Sequence, residues 1–282
     1  SRSSRSTGYM EPEMPKLAAN LSLLFNEVDF LDRFAAAAAC GFRGVEFLFP
    51  YDHPAEEIAA RLSEYDLTNA LFNMRPGDWS QGERGLAGLP GHEAEFRETV
   101  EQALAYAKVL KTPTVHVMHG VPKPGADPVA SRETFIANLQ YAAGKAAEIG
   151  LKMVIEPLNA RDNPGYPLNR QRQARDIVLA VGAPNLAVQF DFYHCQIVEG
   201  DVTMAWRDVA GGGSKGGHVG HVQIAGVPAR HEPDTGELDI GYVMNLIDSV
   251  GYKGWVGCEY RPAGDTAAGL GWAAPWGIRA SG

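Results

Sequence analysis

KMVIEPLN, residues 152–159, decides the fold: an apolar run breaks off at a carboxylate, Glu156, and the same figure then returns three times. It returns as LAVQFDFYH at 186–194 with Asp191, as VGHVQIAG at 219–226 with Gln223, and as GWVGCEYRP at 254–262 with Glu259. Asp191 lies 35 residues after Glu156, Gln223 32 after Asp191, and Glu259 36 after Gln223. Each step is the length of one strand followed by one helix. A polar residue at the same place in four successive units marks the carboxyl ends of four parallel strands, the face on which such barrels carry their sites.

The N-terminal half supplies four more apolar runs: KLAANLSLL at 16–24, GVEFLF at 44–49, LTNALFN at 67–73 and TPTVHVMHG at 112–120. Short apolar runs of this kind fit strands buried on both faces. Helical stretches separate them. Asp29 to Cys40 is Ala-rich and stops before Gly41, a residue suited to closing a helix. Pro54 opens a second helix at a position where its missing N–H costs nothing. Further helices are read at 92–111, 131–149, 170–182, 202–210 and 240–250. Alternating strands and helices imply a parallel sheet with right-handed crossovers. Eight units in about 260 residues fit an α/β fold of one (β/α)8 TIM barrel better than an open doubly wound sheet. No glycine-rich dinucleotide fingerprint follows the first strand, which also weighs against the open sheet.

Residues 1–13 hold no apolar core of a signal sequence and read as a disordered extension or tag remnant, with the catalytic domain running over 14–282. The 282 residues are 45% hydrophobic, enough for a full core, and carry a net charge of −9. An acidic chain is a poor partner for nucleic acid. No run of about 18 apolar residues suggests a membrane span. Cys40, Cys195 and Cys258 are widely spaced and odd in number, so they read as buried thiols of a reducing, cytoplasmic compartment. Two loops stand out. Residues 74–91 are long and rich in Gly and Pro, as binding lids often are. GGGSKGG at 211–217 reads as a flexible connector.

Three carboxylates converging with an amide in a dry barrel mouth would repel one another unless a cation joined them. Oxygen donors of this type suit one hard divalent ion, Mg²⁺ or Mn²⁺, so Glu156, Asp191, Gln223 and Glu259 are read as metal ligands. Such an ion, gripping a carbonyl and the neighbouring hydroxyl, acidifies the C–H between them, and Glu156 and Glu259 are placed to move that proton. His194, Arg230 and His231 are further candidates for holding substrate oxygens or a carboxylate. His116, Asn73 and Glu46 also fall within or at the ends of strand runs, where a satisfied core role is as good a reading as a functional one. His53 and His92 read as surface residues.

The segments AANLSLLF, GVEFLFPY, ALFNMRPGDW, GLAGLPG, VHVMHG, IEPLN, QFDFYH, GHVQIAGVPARHEPDTGEL and GYKGWVGCEYRP resemble the hydroxypyruvate isomerase family of the xylose-isomerase-like barrels. The resemblance runs from about residue 14 to about residue 276, and no ligand position departs from it; the GGGSKGG connector is longer than is usual there. It implies one divalent metal on Glu156, Asp191, Gln223 and Glu259, and Glu156 and Glu259 as proton donor and acceptor. It implies interconversion of hydroxypyruvate and tartronate semialdehyde, with conversion of 2-oxo-tetronate to 3-oxo-tetronate as the alternative within the family. The expected partner is a small hydroxy or oxo acid, with no nucleic acid or membrane, and a homo-oligomer is compatible with the sequence. Sugar 3-epimerases, which typically place His where Gln223 stands, and endonuclease-IV-like repair barrels, which need a His-rich multi-metal cluster, are the competing readings.

Overall fold

The computed structural model describes residues 15–211 and 217–280. The extension read at 1–13 and most of the GGGSKGG connector fall outside these residues. Eight parallel strands close into one barrel in sequence order. They are β1 (Lys16–Asn20), β2 (Gly44–Glu46), β3 (Thr68–Asn73), β4 (Thr114–His116), β5 (Lys152–Ile155), β6 (Leu186–Asp191), β7 (Val219–Ile224) and β8 (Trp255–Cys258). The ring closes where β1 pairs with β8, Leu17 beside Val256 and Ala19 beside Cys258.

Helices α1 (Arg33–Ala39), α2 (Ala55–Glu64), α3 (Glu93–Leu110), α4 (Pro128–Ala147), α5 (Gln171–Val181), α6 (Phe192–Val198), α7 (Val202–Ala210) and α8 (Ile240–Ser249) connect the strands. In α2 the buried residues Ala55, Ile58 and Leu62 recur at helical spacing and form the stripe that faces inward. Its first turn carries Glu56 and Glu57 and its last Arg61, the signs that the helix dipole favours. Helix α4 begins three residues before the Ser131 expected from the sequence. Asp127 accepts the Val129 amide as N-cap and Pro128 occupies the first turn.

The strands are shorter than the apolar runs that revealed them. The residues beyond their carboxyl ends stay buried all the same, among them Phe47, Met74, Val117, Met118, Leu158, Ala225 and Tyr260. All of them belong to the hydrophobic core, and Met118 and Leu158 also line the cavity at the mouth, which is why the runs overshoot the ladder. The largest departure is at LAVQFDFYH, where the chain turns from β6 into α6 at Asp191. Asp191 caps the new helix by accepting the Tyr193 amide at 2.8 Å. Phe192, Tyr193, His194 and Cys195 are all buried, so this first helical turn reads as strand in the sequence.

Cys40, Cys195 and Cys258 are free and buried. Among the described residues no helix is long and apolar enough to cross a membrane.

Candidate active site

The barrel brings Glu156, Asp191, Gln223 and Glu259 to one end. Asp191 closes β6 and lies in register with Gln223 of β7. Glu156 and Glu259 are the first residues beyond β5 and β8. None of the four side chains' residues is more than 6% exposed. Burial of carboxylates at this depth costs free energy unless hydrogen bonds or a cation compensate.

Hydrogen bonds do not compensate fully. Glu156 Oε1 and Asp191 Oδ2 are buried without a partner. Burial, together with the charges of Glu259 and Asp191, pushes the Glu156 carboxyl well above the usual range. Burial likewise raises Glu259 to about 8, although Arg230 pulls the other way. Asp191 rises to about 6 from the same cause, again opposed by Arg230. Orphaned oxygens and mutually repelling carboxyls are the environment a divalent cation relieves, so the donor set fits one.

One ligand atom each from Glu156, Asp191 and His194 lies within 4.8 Å of the others. His194 Nε2 stands 3.6 Å from Asp191 Oδ2 and 3.8 Å from Glu156 Oε1. Its tautomer separates it from the two carboxylates. The Asn159 amide donates to His194 Nδ1 at 3.0 Å, and Asn159 Nδ2 approaches the same atom at 2.9 Å. Nδ1 is therefore the acceptor and Nε2 carries the hydrogen, because burial holds the ring neutral. Nε2–H is a donor aimed between the two carboxylates. His116, at the end of β4, is also neutral: burial draws it down to about 3. Its Nδ1 lies 3.6 Å from Glu156 Oε2, and neither ring nitrogen has a hydrogen-bond partner.

Gln223 is held from two sides. Its Nε2 donates to Glu46 Oε1 at 2.7 Å, and its Oε1 accepts from Gln189 Nε2 at 2.7 Å. The carbonyl oxygen keeps a second lone pair. Glu46 is fully buried and also meets His221 Nε2 at 2.6 Å and Asn20 Nδ2 at 3.1 Å. Gly257 makes room for this carboxylate, since a Cβ there would stand 2.3 Å from both Glu46 oxygens. Glu46 was legible as a strand-end acid, but His221, Gln189 and Asn20 carried no signal that they meet it.

A cavity of about 480 Å³ opens above this layer, lined by Asn73, His116, Glu156, His194, Arg230 and Glu259 among others. Asn73 closes β3, and its side-chain Nδ2 meets the Met118 sulfur at 4.0 Å. Arg230 Nη2 donates to Glu259 Oε2 at 3.2 Å while its guanidinium lies 4.7 Å from the centre of the Tyr193 ring. His231 is not brought into the cavity; its Nδ1 is 2.8 Å from the Arg261 carbonyl. The 74–91 loop contributes Trp79 and Arg84 to the wall, two residues that the sequence did not single out. Leu86, Ala87 and Gly88 of that loop are buried, and the Gly88 amide donates to the His119 carbonyl at 2.7 Å.

A family model described as a xylose isomerase-like TIM barrel matches residues 34–276. The chain is 58% identical over 264 residues to a 2-oxo-tetronate isomerase of Cupriavidus necator, a match covering 93% of this chain and 99% of that protein. It is 43% identical over 266 residues to the hydroxypyruvate isomerase of Escherichia coli, covering 93% and 100%. Among solved structures, one described as an AP endonuclease, family 2, from Brucella melitensis superposes with a TM-score of 0.89 at 52% identity, covering 93% of this chain and 99% of that one.

Proposed function

The chain belongs to the xylose isomerase-like TIM barrel family, and from that premise we propose that it interconverts 2-oxo-tetronate and 3-oxo-tetronate. It is an isomerase of small sugar acids. The four-carbon acid is favoured by the 58% identity to the Cupriavidus necator protein against 43% to the hydroxypyruvate isomerase. This reverses the order that the motifs alone suggest, and hydroxypyruvate stands as the second substrate.

One observation carries the reading: two buried carboxyls, Glu156 and Glu259, face one cavity, and the charge of Glu259 raises the affinity of Glu156 for a proton. Coupling of this kind favours a state in which one member holds a proton while the other is free to accept one. In 2-oxo-tetronate the ionised member takes the proton from C3, and the protonated member delivers one to C2. The hydroxyl proton at the third carbon is transferred in the same sense to the oxygen on the second. His194 Nε2–H bonds the substrate oxygen on which negative charge grows, a placement typical of groups that stabilise such charge. Arg230 holds Glu259 in place through its 3.2 Å bond. Glu156, Asp191, Gln223 and Glu259 would hold a divalent cation, Mg²⁺ or Mn²⁺, and a bound cation supplies Lewis-acid stabilisation of the charge that develops on substrate oxygens.

The repair-nuclease reading finds no support in the site. Among the described residues the one metal-competent cluster contains a single histidine, and the chain is acidic. Gln223 stands where the 3-epimerase reading expects histidine. The test is kcat/KM of the Mn²⁺-loaded protein on both acids. The four-carbon acid is expected to give the higher value. A higher value for hydroxypyruvate would restore the three-carbon order, and turnover of neither would remove the isomerase assignment.

A further inference from the structure

Three guanidinium groups border the cavity, those of Arg84, Arg230 and Arg261. Arg230 is committed to Glu259 and is drawn further by Asp191 and Glu156. Arg261 is exposed at the rim. Arg84 differs from both. Its guanidinium lies 3.5 Å from the centre of the Trp79 ring, in cation–π contact. Its Nη1 donates to the carbonyls of Trp79 and Glu83 at 3.1 and 2.9 Å, and its Nε reaches Asn163 Oδ1 at 3.4 Å. All three partners are neutral, and among the described residues no ion pair to a carboxylate reaches this side chain. Burial alone moves its pKa, downward, with no acid opposing that shift.

The backbone that carries Arg84 is fixed. Gly85 pairs with His119 in an isolated antiparallel bridge, and its amide donates to the Pro76 carbonyl at 2.8 Å. Gly85 has φ of +107°, and a Cβ there would stand 2.3 Å from the Met118 carbonyl oxygen. Stacking, two carbonyl bonds and this pinned neighbour leave a pre-oriented, partly desolvated cation on the cavity wall, with no hydrogen bond from its Nη2 among the described residues. An uncompensated guanidinium facing a cavity is matched by a planar anion that accepts two parallel hydrogen bonds.

We propose that Arg84 anchors the carboxylate of the substrate, so that the 74–91 loop acts as the wall that reads the acid end of an oxo acid. This rests on the isomerase reading given above. The anchor acts equally on bound substrate and on the transition state, because the carboxylate takes no part in the proton transfers. Its loss therefore appears in KM and leaves kcat nearly unchanged.

The experiment compares wild-type, Arg84→Met and Arg84→Lys proteins, each loaded with Mn²⁺, on 2-oxo-tetronate and hydroxypyruvate. Arg84→Met is expected to raise KM roughly 10- to 150-fold, the range for losing a hydrogen bond to a charged partner, with kcat within about threefold of wild type. Arg84→Lys keeps the charge and is expected to recover part of that loss. Affinity for Mn²⁺ alone, measured by calorimetry, is expected to be equal in all three. An unchanged KM overturns the anchor, as does a loss that appears in kcat alone or that lysine fails to recover. A fall in Mn²⁺ affinity overturns it too, because it would show a wall that supports the metal site. If the wild-type protein turns over neither acid, the isomerase reading itself has failed and the anchor falls with it.

Discussion

The backbone amide of Asn159 donates to Nδ1 of His194 at 3.0 Å, and this one bond decides what the imidazole can do at its other nitrogen. Asn159 lies just beyond the β5 carboxylate and His194 one turn into α6, so two adjacent barrel units cooperate in setting a tautomer. With Nδ1 an acceptor, the neutral ring offers a proton at Nε2 and no lone pair there. Close to Glu156 and Asp191 as it is, this nitrogen is a donor, and on the reading proposed above a cation would fall to the oxygen donors.

His194→Phe is therefore expected to lower kcat by about 10²- to 10³-fold, the range for removing one donor to a developing negative charge. Mn²⁺ affinity should be preserved. Titration calorimetry with Mn²⁺ checks this: a large loss of affinity would make His194 a ligand.

Glu156→Gln and Glu259→Gln are each expected to reduce kcat by at least about 10²-fold, the lower end of what a positioned acid or base supplies. Far-ultraviolet circular dichroism should be unchanged, since each amide keeps the shape of the carboxyl it replaces and Glu156 Oε1 has no hydrogen-bond partner to lose. Near-normal turnover in either variant would take that residue out of the proton path.

The carboxyl cluster also predicts a pH dependence. Glu259 is raised from an ordinary 4.5 to about 8 and Asp191 from 3.8 to about 6. Between those limits the unfolded chain has released protons that the metal-free fold retains. The stability these groups contribute is present below pH 3.8–4.5 and is lost as pH rises toward 8. A divalent cation held as proposed would let them ionise within the fold and would stabilise it in proportion to its own binding. The Tm of the Mn²⁺-loaded protein should exceed that of the chelator-treated protein by a margin that widens from pH 5 to 8. A constant or shrinking margin would contradict the assignment.

Gly85→Ala tests the fixed loop. The left-handed backbone and the Met118 carbonyl oxygen, 2.3 Å from where a Cβ would stand, make even a methyl group strained, at a cost of about 1–3 kcal/mol. Denaturant unfolding measures the loss. An alanine variant as stable as wild type would mean that the 74–91 loop is free to move away from β4.

Much of this was legible in the sequence because a parallel barrel buries its strands on both faces, and an apolar run shows that directly. All eight strands fall within the runs that announced them. Their ends were less legible, because residues past the strands stay buried and continue the same apolar pattern, as Val117 and Met118 do after β4. Helix α6 was hidden for that reason, with Asp191 serving as both cap and site residue. Period alone aligned Glu156, Asp191, Gln223 and Glu259. It carried no information on side-chain partners across the barrel, so the Glu46–His221 pair, 175 residues apart in sequence, stayed out of view. Arg84 was equally hidden, because its stacking on Trp79 depends on how the loop folds back. His231 shows the converse: a polar residue beside Arg230 in a promising loop, it turns to the Arg261 carbonyl and not to the cavity.

The most direct test of the central claim is to incubate the Mn²⁺-loaded protein with 2-oxo-tetronate, and separately with hydroxypyruvate, in D₂O and to follow each by proton NMR. Proton transfer between neighbouring carbons through Glu156 and Glu259 predicts that the isomeric oxo acid forms and that deuterium enters at the carbon receiving the proton. Neither product nor deuterium exchange with either acid, in protein shown to hold the metal, would contradict it.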